Sequence, residues 1–468
     1  MNLSTTLAFA GIQHERVRKH LFPGDDLEAA AVLLCSRSAP PRVRLLVRDY
    51  ILIPYDTCRI RQRDAITWPG SYIEEAIDRA ETENLTLVLI HSHPGGLFAF
   101  SNADDESDQM VLPGLMQSHG DFHCTAVMTP DGAVRARCYA NDLVPRPIDL
   151  VTVAGHDLRY WWDQDASAGI PGSRPMAFTG AMSTELRQLT AMVVGVSGTG
   201  SVCAEQVCRL GFGHVKLVDF DVTELKNLNR ILNSTLRDAQ AGRLKVEMFA
   251  QAVSEYRGEC VAESIPLSIL TREAVIAAGQ CDVLFCCVDS LEARQIVDLV
   301  AAVYLVPVFD VGVVIPVCNT GGALAIGDVC GRIDYVQPGR STLQDRGVYS
   351  PESLRAEYLR RSAPNAYNQE LEAGYIKGII DEAPAVISLN MRAAAACVNE
   401  FIARAYPFRH EANHFYARTL FSLAACEEEY TPESTFTPSI NSPILGLGSQ
   451  EPLLGLPFLA PLRRSESK

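Results

Sequence analysis

The sequence predicts two α/β domains in tandem, the second of them a doubly wound parallel sheet. Three observations predict this. The chain has 468 residues, 47% hydrophobic and 21% charged, an ordinary globular composition and enough length for two or three domains that each bury a core. Residues from about 15 to 145 mix short apolar runs with an amphipathic stretch, the pattern of a small α/β domain. At TAMVVGVSGTGS a buried strand runs into a glycine turn and an apolar helix, and VKLVDFD follows as a second strand, which is how a doubly wound sheet opens.

The first domain is placed at 1–145. RVRLLVRDYILIP and LTLVLIHSHP read as strands and SYIEEAIDRAETE as an amphipathic helix. From 146 to 185 the composition shifts to PRPIDL, the aromatic Tyr160-Trp161-Trp162 and the turn-rich ASAGIPGSRP. This is read as a connector with a break near Gly169 to Pro175. The second domain is placed at 186–430, where CDVLFCCVD and VPVFDVGVV supply further strands and PAVISLNMRAAAACVNEFIARAY a long helix. The remainder, 431–468, is read as a loose tail in which LLGLPFLAPL is apolar enough to dock.

The net charge of -15 argues against nucleic acid and anionic membrane as partners, since both select clustered Lys and Arg. No basic region precedes a sustained apolar core at the N-terminus, and the most apolar later stretch is interrupted by Asp298 and Asp310, so no membrane segment and a cytoplasmic location are expected. The 14 cysteines are scattered, many inside apolar runs, as free thiols are in a reducing compartment, and no C-x-x-C pair offers a thiolate zinc site.

After the apolar LTLVLI come His91, Ser92, His93 and Pro94, then Ser101 after seven intervening residues and Asp104 three further on. Alternate residues at a strand end point the same way, so both imidazoles can address one ion, while Ser101 can cap a helix with Asp104 in its first turn. Three protein ligands leave a fourth position for water, as a catalytic zinc needs. Peptide cleavage also requires a base, and Glu28, opening the apolar run EAAAVLLCSR, is the best placed. Glu75 and Glu81 fall at surface spacing on the amphipathic helix, Asp25 and Asp26 in a turn, and Asp105, Glu106 and Asp108 on what reads as a solvated helix face.

The set resembles the JAMM motif of the MPN/JAB metalloproteases: a distant Glu, then H-x-H, seven residues, and S-x-x-D. The resemblance implies His91, His93 and Asp104 as zinc ligands, Glu28 as general base and Ser101 as donor to the developing oxyanion.

The glycine turn Gly195-Val196-Ser197-Gly198-Thr199-Gly200 can hold phosphates on its amides and helix N-terminus, and Asp219 ends the next strand where a carboxylate reaches a ribose. A dinucleotide-binding oxidoreductase fits equally well to that point. DFDVTELKNLNR, then Lys245, then CCVDS with Asp289, add cations and a carboxylate for magnesium, which suit ATP.

This region, roughly 186–410, resembles the ThiF/MoeB/HesA superfamily, which includes ubiquitin-activating enzymes. The resemblance implies Asp219 on the ribose, Asn227, Arg230 and Lys245 on phosphates, Asp289 on magnesium, and a reaction in which the carboxyl terminus of a ubiquitin-like protein or peptide attacks the α-phosphate of ATP. Two departures stand out. Ser197 occupies a usual glycine position, where tolerance is expected because Gly195, Gly198 and Gly200 remain. Where relatives carry a nucleophilic cysteine after a P-G turn, this chain has Ser341 and Thr342, with Cys318 and Cys330 earlier, so a thioester step is not supported. Arg174 is a weaker candidate for reaching a neighbouring subunit's nucleotide.

The expected function is therefore bifunctional processing of a ubiquitin-like or sulfur-carrier protein, by zinc-dependent (iso)peptidase cleavage near its C-terminus and ATP-dependent adenylation of that C-terminus. A conjugating enzyme is a further partner and a homodimer is expected from the resemblance. The alternatives are a binding scaffold with an inactive module and an NAD-dependent oxidoreductase.

Overall fold

The computed structural model describes residues 5–162, 175–320, 323–365, 386–439 and 443–461. The chain divides into two compact units, Met1–Arg174 with Ala302–Leu305 and Pro443–Glu451, and Pro175–Ala301 with Val306–Ser442 and Pro452–Lys468.

In the first unit the elements run β1 (Thr5–Ala10), α1 (Gly11–Leu21), β2 (Ala30–Arg37), β3 (Val43–Leu52), a two-residue pair β4 (Ile60–Arg61) and β5 (Ile66–Thr67), α2 (Ser71–Glu83), β6 (Thr86–Ser92), α3 (Asn102–Ser118), β7 (Phe122–Met128), β8 (Val134–Ala140), β9 (Arg146–Pro147), β10 (Leu150–Ala154) and β11 (Leu158–Trp162). Nine of these strands form one sheet in the order β11-β10-β1-β3-β2-β6-β7-β8-β9.

β2 shows why the sheet sits in the middle. Successive side chains of AAVLLCSR point to opposite faces. Ala31, Leu33 and Cys35 join Leu7, Phe9, Val17 and Leu21 in a core on the α1 side. Ala30, Val32 and Leu34 join Ala76, Ala80, Leu112 and Leu115 in a core beneath α2 and α3. An apolar run without alternation thus marks a strand covered on both faces.

The connector expected over 146–185 is corrected. Residues 150–162 supply β10 and β11, and β10 pairs parallel with β1 from Thr6↔Leu150 to Ala10↔Ala154. That pairing joins segments far apart in sequence, so nothing local announces it.

The second unit contains α4 (Gly180–Leu186), β12 (Thr190–Val194), α5 (Gly198–Leu210), β13 (His214–Val218), α6 (Leu236–Ala241), α7 (Lys245–Arg257), β14 (Ala262–Ile265), α8 (Arg272–Ala278), β15 (Val283–Cys286), α9 (Leu291–Tyr304), β16 (Val308–Val314), β17 (Val317–Thr320), β18 (Ala323–Ile326), β19 (Cys330–Val336), α10 (Pro351–Ser362), α11 (Ile387–Ala405), β20 (Arg418–Ser422) and β21 (Glu427–Thr431). Its main sheet has the order β14-β13-β12-β15-β16-β19-β20-β21, parallel from β14 to β16 and antiparallel beyond. The strand order reverses between β12 and β15, the switch point at which doubly wound sheets bind ligands. Phe401 of α11 packs its ring against those of Phe212, Phe285 and Phe309, so the expected long helix covers the sheet.

The expected tail is also corrected. β21 crosses the proposed boundary at 430, and Glu433 beyond it is buried, paired with Arg346 at 2.8 Å. Residues 443–451 belong to the first unit, where Ser36 Oγ donates to the Gly446 carbonyl at 2.6 Å. The described part of LLGLPFLAPL, residues 453–461, docks in the second unit, with Leu453 and Leu459 buried. TPESTFTPS reads as loose only because its anchor, an arginine far back in the chain, is invisible locally.

Candidate functional site

β2 and β6 pair antiparallel with Ala30 opposite His91, which sets Glu28 beside the histidines. Ser92 stitches the two segments together: the Ala29 N–H donates to its Oγ at 2.8 Å, and its own N–H donates to the Ala29 carbonyl at 2.9 Å. No local pattern marks this role for the serine between the histidines. Glu28, His91 and His93 each present a ligand atom within 4.8 Å of one another.

Ser101 is the N-cap of α3, accepting the Asp104 N–H at 3.2 Å, while the Asp104 carboxylate accepts the Ser101 N–H at 2.5 Å and its hydroxyl at 2.8 Å. This reciprocal cap holds Asp104 Oδ2 and leaves Oδ1 turned toward His91. His91 Nε2 stands 2.9 Å from Asp104 Oδ1, His93 Nε2 stands 3.5 Å from Oδ2, and the two Nε2 atoms are 3.1 Å apart. Two nitrogens bound to one zinc at about 2.0–2.1 Å in tetrahedral geometry lie roughly 3.3 Å apart, so the donor set fits such an ion. His93 Nδ1–H donates to the Leu97 carbonyl at 2.8 Å, which fixes the tautomer that leaves Nε2 free to bind a metal.

The electrostatics agree. Burial pushes the Glu28 carboxyl up to about 7. Burial works the same way on Asp104, but hydrogen bonds from His91 and His93 outweigh it and hold that carboxyl well below the usual range. Burial disfavours charge on His93, yet Asp104 raises its pKa overall. Glu75, Glu81, Asp25 and Asp26 are exposed, and so are Asp105 and Glu106 on the solvated face expected of them, with Asp105 paired to Arg137; Asp108 alone is buried and corrects that reading.

In the second unit the glycine turn lies between β12 and α5, at the switch point. Gly195 has φ +85°, and a Cβ there would meet the Cys287 carbonyl oxygen at 2.8 Å. A Cβ on Gly200 would lie 1.6 Å from the Gly195 oxygen. Ser197 has φ -103°, which any residue adopts, so its tolerance has a conformational cause. We expect Gly200→Ala to lower stability by about 1–3 kcal/mol and to remove any ATP-induced rise in melting temperature. Ser197→Gly should cost only about a few tenths of a kcal/mol, read from the same thermal scans.

Asp219 follows β13 and is buried, its carboxylate accepting the Val196 N–H at 2.8 Å and the Asp221 N–H at 2.9 Å, with burial pushing its pKa up. Lys245 begins α7 and pairs with Asp221 at 2.7 Å, so the second acid of D-x-D, to which sequence reading gave no role, holds the lysine. The Arg230 stem passes over the turn: a Cβ on Gly198 would meet its Cδ at 3.2 Å and Asn390 Nδ2 at 2.5 Å. Asn390 of α11, which also accepts from Thr199 Oγ1 at 3.2 Å, was likewise missed. Asn227 is buried, its Oδ1 accepting the Glu224 N–H at 3.0 Å. Asp289 is exposed in the loop after β15 that lies against Gly195.

Ser341 is fully buried, its Oγ accepting from Arg346 Nε at 2.9 Å, and Thr342 donates to Asp345 at 2.8 Å, so neither is a poised nucleophile. The Cys330 thiol donates to Asp328 at 2.9 Å, and that bond pushes its pKa up to about 11. Arg174 and the side chain of Cys318 lie outside the described residues.

The geometry defines a two-unit α/β protein with a candidate dication centre in the first unit and a phosphate-type glycine turn in the second. Residues 13–139 match the family model for prokaryotic homologs of the JAB domain, and residues 173–395 match that of the ThiF family. The chain is a fusion of a JAB-type domain and a ThiF-type domain.

Ubiquitin-like modifier-activating enzyme 5 of Arabidopsis thaliana is 31% identical over 129 residues, 24% of this chain and 29% of that protein. Its Bombyx mori counterpart is 29% identical over 168 residues, 34% of this chain and 39% of that protein. The chain thus spans roughly a third of the length of these curated relatives. The crystal structure of E. coli MccB with ATP superposes with a TM-score of 0.41 at 16% identity, covering 56% of this chain and 68% of that one. Among the described residues no helix is long and apolar enough to cross a membrane.

Proposed function

We propose that this chain cleaves a peptide or isopeptide bond near the C-terminus of a ubiquitin-like or sulfur-carrier protein, and adenylates such a C-terminus with ATP. The observation that carries the first half is the convergence of His91, His93 and Asp104 at a strand end, with Glu28 beside the two histidines. His91, His93 and Asp104 would hold zinc, which when bound supplies Lewis acidity and a water of pKa about 7. Glu28 holds and moves a proton at its carboxylate. Ser101 orients Asp104, and its hydroxyl, turned from that carboxylate, is the donor nearest to a reacting carbonyl in this reading.

For the second half, the glycine turn and Asp219 bind nucleotide, while Arg230 and Lys245 meet the charge that grows on departing pyrophosphate. Asp289 would hold magnesium, which shares that neutralisation. The likeness of the ThiF-type half to enzymes named for activating ubiquitin-like modifiers supports a ubiquitin-like or peptide substrate over a nicotinamide reaction. A conjugating enzyme as a further partner, a homodimer and a cytoplasmic setting belong to the same reading.

Glu28→Gln tests the base. Zinc content should stay at the wild-type level while kcat falls about 10²–10⁴-fold. The wild-type rate should fall on the acid side as Glu28 protonates. Burial, opposed by His91 and His93, pushes that carboxyl up to about 7, and a cation held by the histidines would pull it lower, so the acid limb lies below neutral pH. The variant should lack that limb, and a variant with wild-type kcat contradicts the assignment.

A further inference from the structure

The loop joining the histidine pair to the N-terminus of α3 is fastened by one strand. β8 directs Arg135, Arg137 and Tyr139 to the face that carries α2 and α3, since Tyr139 lies in that core and the alternate residues Val134, Ala136 and Cys138 lie in the other. Arg135 Nη1 donates to the Phe98 carbonyl at 3.2 Å, next to the Leu97 carbonyl that fixes His93. The Arg137 guanidinium lies 3.9 Å from the ring centroid of Phe100, the residue before the Ser101 cap.

One turn beyond Asp104, Asp108 receives the same arginine. Its Oδ2 accepts from Arg137 Nε at 3.0 Å and Nη2 at 2.7 Å, from Thr125 Oγ1 at 2.8 Å and from Tyr139 OH at 2.6 Å. Arg137 Nη1 donates to Asp105 at 2.5 Å. The Arg137 and Asp108 side chains are 9% and 11% exposed. A buried ion pair rarely stabilises more than an apolar pair of equal volume, so stability alone does not account for it. A planar fork does fix direction as well as distance.

We propose that Arg135 and Arg137 are positioning residues for the cation centre: they hold the 97–101 loop and the first turns of α3 so that His93 and Asp104 meet at one point. This rests on the reading of that point as a zinc site. Neither arginine touches the ion in this account.

The test is zinc titration of the full chain against a competing chromogenic chelator, with thermal unfolding in parallel. Arg135→Gln and Arg137→Lys should each fold and bind zinc about 10–100-fold more weakly, as loss of an outer-shell partner does. Should the lysine variant not fold, the double variant Asp108→Leu with Arg137→Met removes both charges together and should show the same loss. A purely structural network predicts lower melting temperatures with wild-type zinc affinity in the folded variants, and that result overturns the proposal. A wild-type chain that takes up no zinc overturns the site reading itself, and the positioning role with it.

Discussion

Replacing His91 and His93 together by alanine is expected to abolish zinc binding and to reduce peptidase activity to the uncatalysed background. Both Nε2 atoms face the Asp104 carboxylate, and no other imidazole, thiol or carboxylate among the described residues joins their cluster apart from Glu28. Two carboxylates without the imidazoles do not make a zinc site of the required softness. The fold should survive. The double substitution removes the hydrogen bond to the Leu97 carbonyl and the imidazole bonds to Asp104, each worth about 1 kcal/mol, and leaves the cap between Ser101 and Asp104 in place. The nucleotide set lies wholly in the other unit, so ATP-dependent pyrophosphate exchange should continue at the wild-type rate. Loss of both activities in a folded variant contradicts the assignment of separate sites.

The second large effect is expected from Asp289→Ala. The side chain is exposed, so its removal leaves no buried cavity, yet it stands in the loop that abuts Gly195 at the switch point. On the proposed reading its carboxylate would hold the magnesium that offsets the charge of departing pyrophosphate, so exchange should fall at least about 100-fold. Zinc content and melting temperature should not change. Exchange at the wild-type rate removes Asp289 from the nucleotide site, while a fall in zinc content points to misfolding across the chain.

What was legible in the sequence was what is local. His91 and His93 sit at one strand end and Ser101 caps the helix that bears Asp104, so spacing alone foretold their convergence. Glu28 was legible because it opens a run buried on both faces, whose natural place is beside another such strand. Asp108 was misread because DDESD looks like a wetted face, and the arginine that buries it comes from a strand 29 residues on. Asn390 and Ser92 escape a sequence reading for the same reason: their partners, Thr199 and Ala29, are distant in sequence. β10 hid within an aromatic, proline-flanked stretch because a parallel partner leaves no turn signal nearby.

Counting metal in the purified full chain decides whether His91, His93 and Asp104 hold an ion. One zinc per wild-type chain is expected, retained in Glu28→Gln and lost in the double histidine variant. A folded wild-type chain that neither carries zinc nor binds it on titration rules the metal centre out.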